Sequence, residues 1–595
     1  MKKYLFIALA LLGMASCAKD DLNAGNKPQH NGEIEESYIA INLMAADSDT
    51  RGTSGTSDDD YEEGTDAERV VNTAYFFFFD AQGNPFYVNT TNTPATQPGA
   101  IDQTNHLALS ISEYDNPALD MPNVSDIKKA VLILETYKGV YPSQIVAVIN
   151  WVPTAKAYAL EQLRDALVGL RGTDGFVMSN SVYKDGAGKI VDAVPLTAAN
   201  IKTTADDAKA APVEIYVERV AAKVVLTASG KVAGTTNIFD TQKNTTPVVS
   251  AGQSSDIDVY VQLHGWELYN DHNTSNLLKN IDPAWGDGEG LGLTWNDRFN
   301  FRSYWALSQD KSVLNDNFAW QYSSDEQTAK GFKTEYGFAV ASEANYEDTT
   351  TYTYCGENTG ESTIDGEGKV TPYTKNTKVI LKGQLMQKNG ENYEPLELAR
   401  WYGTEYAGEY ALRIAVANSL KYTLFSSPDN TNFDPIEPAD LVCVAGSVVS
   451  AKAYEVGFQL SSTANYGTNK IWYKYDSVNG YVRLGDSGID GDNAAKANEH
   501  LKTIEPALLY ASGQTYYIVD IEHFGTKTAA YGVVRNHVYQ IDIHSITGYG
   551  SPVYNGTGNI IDPEYPEVED ESSYVAAKIN VLSWKIVKQT VDIVQ

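Results

Sequence analysis

The chain contains few residues whose types and spacing could support catalysis or metal binding. Its eight histidines are scattered, and His537 and His544 would lie on opposite faces of one strand, because an odd separation places side chains on alternate faces. Residues 286–290 are rich in glycine but lack the lysine and the helix of a phosphate-binding loop. Residues 486–492 carry several carboxylates without EF-hand spacing, so a solvated loop is favoured over a weak calcium site. We therefore expect no catalytic residue, no metal ligand, no cofactor and no enzymatic activity.

Cys17 is placed for lipid attachment. Lys2 and Lys3 precede an apolar run, residues 5–15, which has the length of a signal sequence and is too short to span a bilayer. The small residues just before Cys17 look like a lipobox, the motif whose cysteine is acylated in bacterial lipoproteins. Several acyl chains on one cysteine would hold the chain stably at a membrane. The alternative is a plain signal peptide that happens to end near a cysteine.

Arg51 is the residue best placed for proteolytic processing. It lies in a polar segment that runs into an acidic stretch at residues 58–63, and no other arginine precedes Arg69. Exposed polar loops are preferred sites of proteolysis. An arginine-specific protease would therefore find one obvious bond here, between Arg51 and Gly52.

The other two cysteines, Cys355 and Cys443, leave two interpretations open. Three cysteines are too few for a disulfide framework, and Cys17 is explained separately. Cys355 and Cys443 are either two buried thiols, which is the favoured interpretation, or one disulfide formed in an oxidising compartment.

The composition is that of a globular protein with a strong negative charge. The 595 residues are 43% hydrophobic and 21% charged, which allows a buried core, and the length indicates two or more domains. A formal net charge of −32 opposes binding to anionic nucleic acid, so no nucleic-acid partner is expected. The 39 tyrosines and nine tryptophans suit strands. Between 260 and 325 such rings could form a sugar-binding platform, although positions in the core or on a β-surface are more common.

Alternating apolar residues predict that most of the secondary structure of the chain consists of strands. In residues 37–46, Ile39, Ile41 and Leu43 share one face, which is the two-residue period of a strand. Residues 213–228 predict one long alternating strand that opens the second domain.

A single amphipathic segment predicts the principal helix. Apolar side chains between 155 and 170 recur at helical spacing, and Gly172 follows as a stop signal. One helix among many strands indicates a mostly β protein, with a minor helix packed on a β-sandwich.

The last 21 residues, 575–595, form the most regular apolar segment. They follow a polar, proline-containing stretch that is typical of a semi-stiff linker. Because a strand this apolar must be buried, and because a linker precedes it, it need not pack on its own domain; packing back in place is the alternative. The apolar side chains that would be buried are those of Ile579, Val581, Leu582, Trp584, Ile586, Val591 and Ile593.

Three stretches resemble the minor fimbrillin family, the shaft pilins of Bacteroidales type V fimbriae. They are residues 217–224 (VERVAAKV), residues 534–543 (VRNHVYQIDI) and residues 579–585 (INVLSWK). Their order and spacing also fit, as do the lipobox and the early strand followed by a single arginine.

The resemblance implies two tandem transthyretin-like β-sandwich domains and export as an outer-membrane lipoprotein precursor to the cell surface. It implies cleavage at Arg51–Gly52, which removes the first strand, so that the vacated groove accepts the C-terminal strand of another subunit. The implied organisation is a signal peptide with lipobox at 1–17, a propeptide at 18–51, an N-terminal domain at 52–212, a C-terminal domain at 213–550, an acidic linker at 551–574 and a donor strand at 575–595.

This assembly has clear physical requirements. A sandwich that loses an edge strand exposes unpaired backbone groups and an apolar groove, and an extended segment with matching alternation restores both. The expected function is therefore a structural shaft subunit of a fimbria that supports adhesion and biofilm formation. Expected partners are further copies of the chain, accessory fimbrillins and an anchor, an arginine-specific protease, and the outer membrane through lipid before cleavage. The alternatives are a tip or accessory fimbrillin and a surface glycan-binding lipoprotein that stays monomeric.

Overall fold

The chain folds mainly into strands, as expected for a mostly β protein. The structure, a computed structural model, describes residues 34–45, 68, 70–88, 104–110, 127–172, 175–184, 189–235, 237–250, 253–281, 306–308, 320–321, 352–360, 362–373, 375–445, 455–465, 470–485, 490–523, 531–553, 560–561, 574–582 and 585–588.

The N-terminal part forms sheet 1, which has eight strands within the described residues. Their order is β3 (His106–Ser110), β2 (Thr73–Phe79), β5 (Gln144–Ile149), β7 (Met178–Asn180), β11 (Val213–Arg219), β1 (Ile34–Ala45) and β4 (Ile127–Tyr137), with β10 (Val194–Pro195) paired to β5. The four consecutive phenylalanines of β2 are all buried, because alternate side chains enter the apolar clusters on opposite faces of the sheet.

The C-terminal part contains two main sheets that share one core. Sheet 2 has the order β17 (Tyr352–Gly356), β12 (Ala221–Thr227), β34 (His537–Thr547), β37 (Tyr574–Leu582) and β38 (Lys585–Lys588). Sheet 3 has the order β27 (Leu441–Ala445), β28 (Glu455–Leu460), β31 (Ala507–Tyr510), β23 (Leu398–Trp401), β24 (Thr404–Tyr406), β13 (Ile238–Ser250), β14 (Gln253–Tyr269), β21 (Lys378–Asn389), β32 (Gln514–Asp520) and β35 (Ser551–Pro552), with β22 (Asn392–Pro395) on β21. Apolar residues of β12 and β34 join those of β14 and β21 in one buried cluster, which is the arrangement of a β-sandwich.

Shorter strands complete the described part. They pair as β6 (Leu167–Gly169) with β15 (Thr274–Asn276), β8 (Tyr183–Lys184) with β9 (Ile190–Val191), β16 (Trp320–Gln321) with β36 (Ile560–Ile561), β18 (Asn358–Thr359) with β33 (Gly532–Val533), β19 (Thr363–Ile364) with β20 (Val370–Thr371), and in the order β26 (Asp434–Pro435), β25 (Leu424–Ser427), β29 (Ile471–Asp476), β30 (Gly480–Arg483).

The helices differ from the sequence prediction. Those described are α1 (Leu160–Arg164), α2 (Ala205–Ala210), α3 (Gly408–Leu420), α4 (Ser462–Asn465) and α5 (Asp490–Leu501), with 3₁₀ turns at Ala198–Asn200, Pro438–Asp440 and Ala511–Gly513. None of the described helices is long and apolar enough to cross a membrane.

The predicted principal helix at 155–170 is wrong in extent. Only Leu160–Arg164 is helical, and the following residues form β6. The reason is a distant backbone partner: β15 pairs with β6, and the amide of Leu277 donates to the carbonyl of Ala166. Because the backbone groups of these residues bond to a strand, they cannot form helical hydrogen bonds. The longer helices of the described residues are α3 and α5.

The predicted long strand at 213–228 is two strands in different sheets. β11 pairs with β1 and β7 in sheet 1, whereas β12 pairs with β17 and β34 in sheet 2. The amide of Val220, between them, donates to the carbonyl of Val177. The chain therefore passes from sheet 1 to sheet 2 at Val220.

Candidate functional site

The first strand occupies an interior position in sheet 1. β1 runs parallel to β11 over residues 41–45 and antiparallel to β4 over residues 34–44. The amide and carbonyl of Tyr38 also exchange hydrogen bonds with Lys202, both 2.8 Å long. β1 therefore has partners on both sides and is not an edge strand.

The side chains of β1 form part of the core of sheet 1. Ile39 and Ile41 are fully buried and pack in the same cluster as Leu132 and Leu134 of β4 and Ile215 of β11. The side chain of Leu43 lies outside the described residues. Because β4 is paired only with β1 among the described strands, removing β1 would open a slot with two unpaired backbone ladders and an apolar floor.

The chain that follows this strand is anchored where sheet 1 meets sheet 2. Cys17, Arg51 and Gly52 lie outside the described residues, which resume at Glu68. The Glu68 side chain is fully buried, and its Oε1 is 3.1 Å from Nζ of Lys223, which is also fully buried. The Tyr354 hydroxyl donates to the same carboxylate, and Nε of Arg219 donates to the Glu68 carbonyl at 2.7 Å.

The electrostatics of this anchor are those of a satisfied buried pair. Burial, and then the charge of Glu68, raise the pKa of Tyr354, which therefore stays protonated and donates to the carboxylate. Lys223 also lies over the ring of Tyr352, at 4.3 Å from its centre. We define Glu68, Lys223 and Tyr354 as the Glu68 anchor.

Further buried charges are paired elsewhere in the described residues. Arg535 pairs with Glu357 and donates to the carbonyls of Asn276 and Leu277, all in buried positions. Nζ of Lys279 lies 3.0 Å from the buried carboxylate of Glu218. Burial raises the pKa of Glu218, while Lys279 opposes that shift.

These junction residues were missed by sequence reasoning, although a signal for them exists. Arg219, Lys223 and Arg535 interrupt apolar runs. A charge inside such a run is seldom buried unless it is paired. The sequence could therefore have indicated buried partners, but not which residues they are.

The three stretches that carried the family resemblance are neighbours in sheet 2. Residues 217–224 enter β12, residues 534–543 enter β34 and residues 579–585 enter β37 and β38, which the sheet places side by side. The amide of Asn536 donates to the carbonyl of Ala221 at 2.7 Å, and Arg219 donates to the Asn536 side chain at 3.2 Å. The resemblance therefore corresponds to one structural unit at the domain junction.

The C-terminal strand packs on its own domain in this single chain. β37 is antiparallel to β34, with Ile579 opposite Ile541 and Val581 opposite Tyr539, and β38 folds back on β37. Only the backbone is described at Ile579, Val581, Leu582 and Ile586; Trp584, Val591 and Ile593 lie outside the described residues. The pair β37–β38 forms the end of sheet 2, so its departure would break only its own pairing with β34 and leave the other strand pairs of the sheet intact.

The structure also shows the surroundings of the cysteines and histidines that lie in the described residues. Cys355 and Cys443 are both free thiols, buried in different apolar clusters, so the disulfide alternative is wrong for this structure. Burial raises the pKa of both thiols. His537 is buried and His544 exposed, as their odd spacing predicts. No group of three or more histidine, cysteine or acidic residues in the described ranges could hold a metal ion.

A comparison with protein families identifies the C-terminal segment. Residues 508–590 match the family described as major fimbrial subunit protein type IV, fimbrillin, C-terminal. Two of the three stretches, 534–543 and 579–585, lie within this match. The resemblance to fimbrillins is therefore confirmed. No curated protein shows a significant sequence match to the chain.

Solved structures similar to the chain include several fimbrial proteins. One assigned to cell adhesion, from Parabacteroides distasonis, is 11% identical, with 94% of this chain and 98% of that chain covered and a TM-score of 0.34. A fimbrilin from Porphyromonas gingivalis is 12% identical, with 93% and 99% covered and a TM-score of 0.32. A tip fimbrial protein from the same species is 10% identical, with 91% and 99% covered and a TM-score of 0.25. These TM-scores are low, so the likeness to fimbrillins rests on residues 508–590.

Proposed function

We propose that the chain is a structural subunit of a cell-surface fimbria and that it polymerises by protease-triggered donor-strand exchange. The observation that carries this proposal is the position of β1, an interior strand of sheet 1 that precedes Arg51 in the chain. Cleavage between Arg51 and Gly52 would separate β1 from the rest of the subunit. Fimbriae of this kind support adhesion and biofilm formation.

Cleavage would leave a slot that favours refilling. Loss of β1 removes Ile39 and Ile41 from the core, and a fully buried side chain of this kind contributes about 1.5–3 kcal/mol. It also leaves the facing backbone groups of β4 and β11 unpaired, which is costly when they are buried. A donor strand that runs in the direction of β1 restores both ladders.

The C-terminal segment is suited to be that donor. β37 and β38 have nine and four residues, and β1 has 12. In its own chain β37 pairs along its length with β34 but at only two positions with β38, whereas in the slot a donor would be paired along both sides by β4 and β11. The exchange is therefore favourable once β1 is gone, and it is blocked while β1 is in place.

This mechanism also sets the order of events. A precursor acylated at Cys17 would reach the outer membrane with its slot filled, and an arginine-specific protease would release the block at the surface. Lending a strand head to tail does not close on itself, so it builds a filament. The partners are then further copies of this chain, accessory fimbrillins and an anchor.

The packing of the C-terminal strand on its own chain is also expected for a different function. A glycan-binding lipoprotein that stays monomeric would keep its tail on its own domain, as β37 lies on β34 here. A capping subunit would likewise use no donor. These alternatives and the shaft subunit differ in their state of assembly after cleavage.

The test uses purified protein lacking residues 1–19, treated with an arginine-specific protease. We expect a new N-terminus at Gly52 and a ladder on SDS gels run without boiling. Deleting residues 575–595 should abolish the ladder and leave the cleavage unchanged. Cleavage at Arg51 that leaves a monomer, with or without the tail, would reject strand exchange.

Arg51→Lys is the matched control. It keeps the positive charge but removes the bond that an arginine-specific protease recognises, so neither cleavage nor a ladder is expected. Trypsin cleaves after lysine as well and should restore both. A ladder from uncut Arg51→Lys protein would show that β1 does not block assembly.

A further inference from the structure

A cavity lies in a part of the chain that strand exchange does not use. Residues 398–510, here called the inserted lobe, run from β23 to β31 and contain α3, α4 and α5 around a separate apolar cluster. The cavity has a volume of about 350 Å³. Its lining consists of Trp401, Tyr402, Ser419, Leu420, Thr423, His500, Thr503 and Ile504.

Three elements of the lobe meet at this cavity. Trp401 and Tyr402 come from the turn between β23 and β24, Ser419 and Leu420 from the last turn of α3, and His500 from the last turn of α5. Two helix C-termini and an aromatic turn therefore form the wall. Pockets for small ligands commonly have about 300–1,000 Å³, so this cavity suits a ligand of one ring.

The polar groups of the wall are prepared to accept hydrogen bonds. Each of the three hydroxyls donates to a helix carbonyl: Ser419 to Val416, Thr423 to Leu420 and Thr503 to His500. A hydroxyl whose proton is used in this way still offers oxygen lone pairs. The wall is thus rich in acceptors.

The wall carries no formal charge at neutral pH. Burial, and then the positive charge of Lys474, lower the pKa of His500, which keeps its ring neutral. Nε2 of His500 is buried and has no hydrogen-bond partner within the described residues. A buried nitrogen of this kind is costly unless a partner reaches it.

Tyr402 is held at the mouth of the cavity at a conformational cost. Its φ is 48° and that of the next residue, Gly403, is 71°, in the tight turn that joins β23 to β24. Such turns favour Asn, Asp or Gly at the first position. Tyrosine there is unusual. The residue is 71% exposed, and the centre of its ring lies 4.8 Å from that of Trp401.

We propose that this cavity binds one ring of a neutral sugar, with the ring face stacked on Tyr402 and its hydroxyls donating to Ser419, Thr423 and Thr503. A sugar combines apolar CH faces with hydroxyl donors, which matches an exposed aromatic ring beside acceptors. A charged ligand is disfavoured, because the wall offers no opposite charge to pair with it. The site is independent of strand exchange, and each can fail without the other.

The test is saturation-transfer NMR on the protein lacking residues 1–19. The probes are the methyl glycosides of galactose, glucose, mannose, fucose and N-acetylglucosamine, with N-acetylneuraminic acid and tetramethylammonium as charged comparisons. We expect transfer to at least one neutral glycoside and to neither charged probe. Transfer to no neutral glycoside, or only to a charged probe, would overturn the proposal.

Tyr402→Asn separates ligand binding from folding. Asn is favoured at this turn position, so the variant should be at least as stable as the parent protein. It lacks the ring, so glycoside affinity should fall about tenfold or more, which corresponds to about 1.4 kcal/mol. Tyr422→Asn is the matched control, because Tyr422 is 73% exposed in the same lobe and does not line the cavity. Unchanged affinity in Tyr402→Asn, or an equal loss in Tyr422→Asn, would refute the site.

Discussion

At the scale of single residues, the place where sheet 1 meets sheet 2 depends on charges that are buried in pairs. Glu68 and Lys223 are both fully buried, and each would be strongly disfavoured there alone. Glu68 also lies between the expected cleavage bond and β2. Its pairing would therefore hold the start of the mature chain in place after β1 has left.

Replacing Glu68 should destabilise the fold by removing the carboxylate that lies against a buried lysine. We expect Glu68→Gln to lower the free energy of unfolding by about 3–5 kcal/mol, as measured by urea denaturation. Adding Lys223→Met should recover part of this loss, because the buried positive charge is then removed. If the double variant were as unstable as the sum of the two single ones, the pair would not be coupled.

Glu522 should make stability depend on pH. Burial, and then the charge of Asp520, raise the pKa of Glu522 from 4.5 to about 7. The folded state then binds more protons than the unfolded state between these values, so stability falls as pH rises through that window.

Glu522→Gln removes this titration. The free energy of unfolding of the variant minus that of the parent protein should be larger at about pH 8 than at about pH 5. Urea unfolding of both proteins at both pH values measures this difference. Glu391→Gln, in an exposed hairpin turn, controls for the loss of one negative charge. A stability difference for Glu522→Gln that is the same at both pH values would contradict the raised pKa.

At the scale of elements, β1 is both a core strand and a removable one. It contacts β4 along its length and β11 over its second half, yet only its C-terminal end connects to the folded remainder among the described residues. A single cleavage can therefore release it, which is not true of the other core strands of sheet 1.

Ile41→Ala should weaken the precursor and leave the mature subunit unaffected. Ile41 is fully buried, so truncation should cost about 2–5 kcal/mol in the uncut protein. Ile133→Ala, at a position 50% exposed on β4, should change stability by only about 0.5 kcal/mol. After cleavage at Arg51 and removal of the fragment, the Ile41 variant and the parent should unfold alike. A persistent difference would mean that β1 stays bound.

At the scale of the whole molecule, the proposed donor and acceptor lie in different sheets. The slot belongs to sheet 1 and the tail to the end of sheet 2. One subunit can therefore accept at one site while it donates from another. The two activities should be separable by mutation.

Two variants that cannot polymerise alone should join to each other by a single strand exchange. Uncleaved Arg51→Ala protein can donate but cannot accept, and cleaved protein lacking residues 575–595 can accept but cannot donate. Mixed, they should form a dimer and no longer species on gels run without boiling. Longer ladders from the mixture, or a dimer from either variant alone, would contradict one slot and one donor per subunit.

The sequence by itself determined the local features of this protein. The alternation of Ile39 and Ile41 indicated a buried strand, and the repeated alternation along the chain indicated a mostly β fold. These features depend on neighbours in the chain, since the side-chain period of a strand is local. The same local view overextended the helix at 155–170, where a distant strand, β15, takes the backbone bonds of residues 167–169.

Only the tertiary structure decided which elements meet. It placed β1 in the interior of its sheet, divided residues 213–228 between two sheets at Val220, and paired Glu68 with Lys223. It also brought Tyr402 and His500 to one cavity. Strand partners and buried ion pairs join residues far apart in sequence, so no short-range pattern specifies them. Local periodicity determines which secondary structure a segment can form. Its position in the fold is determined by the need of buried backbone groups for hydrogen-bond partners and of buried charges for opposite charges.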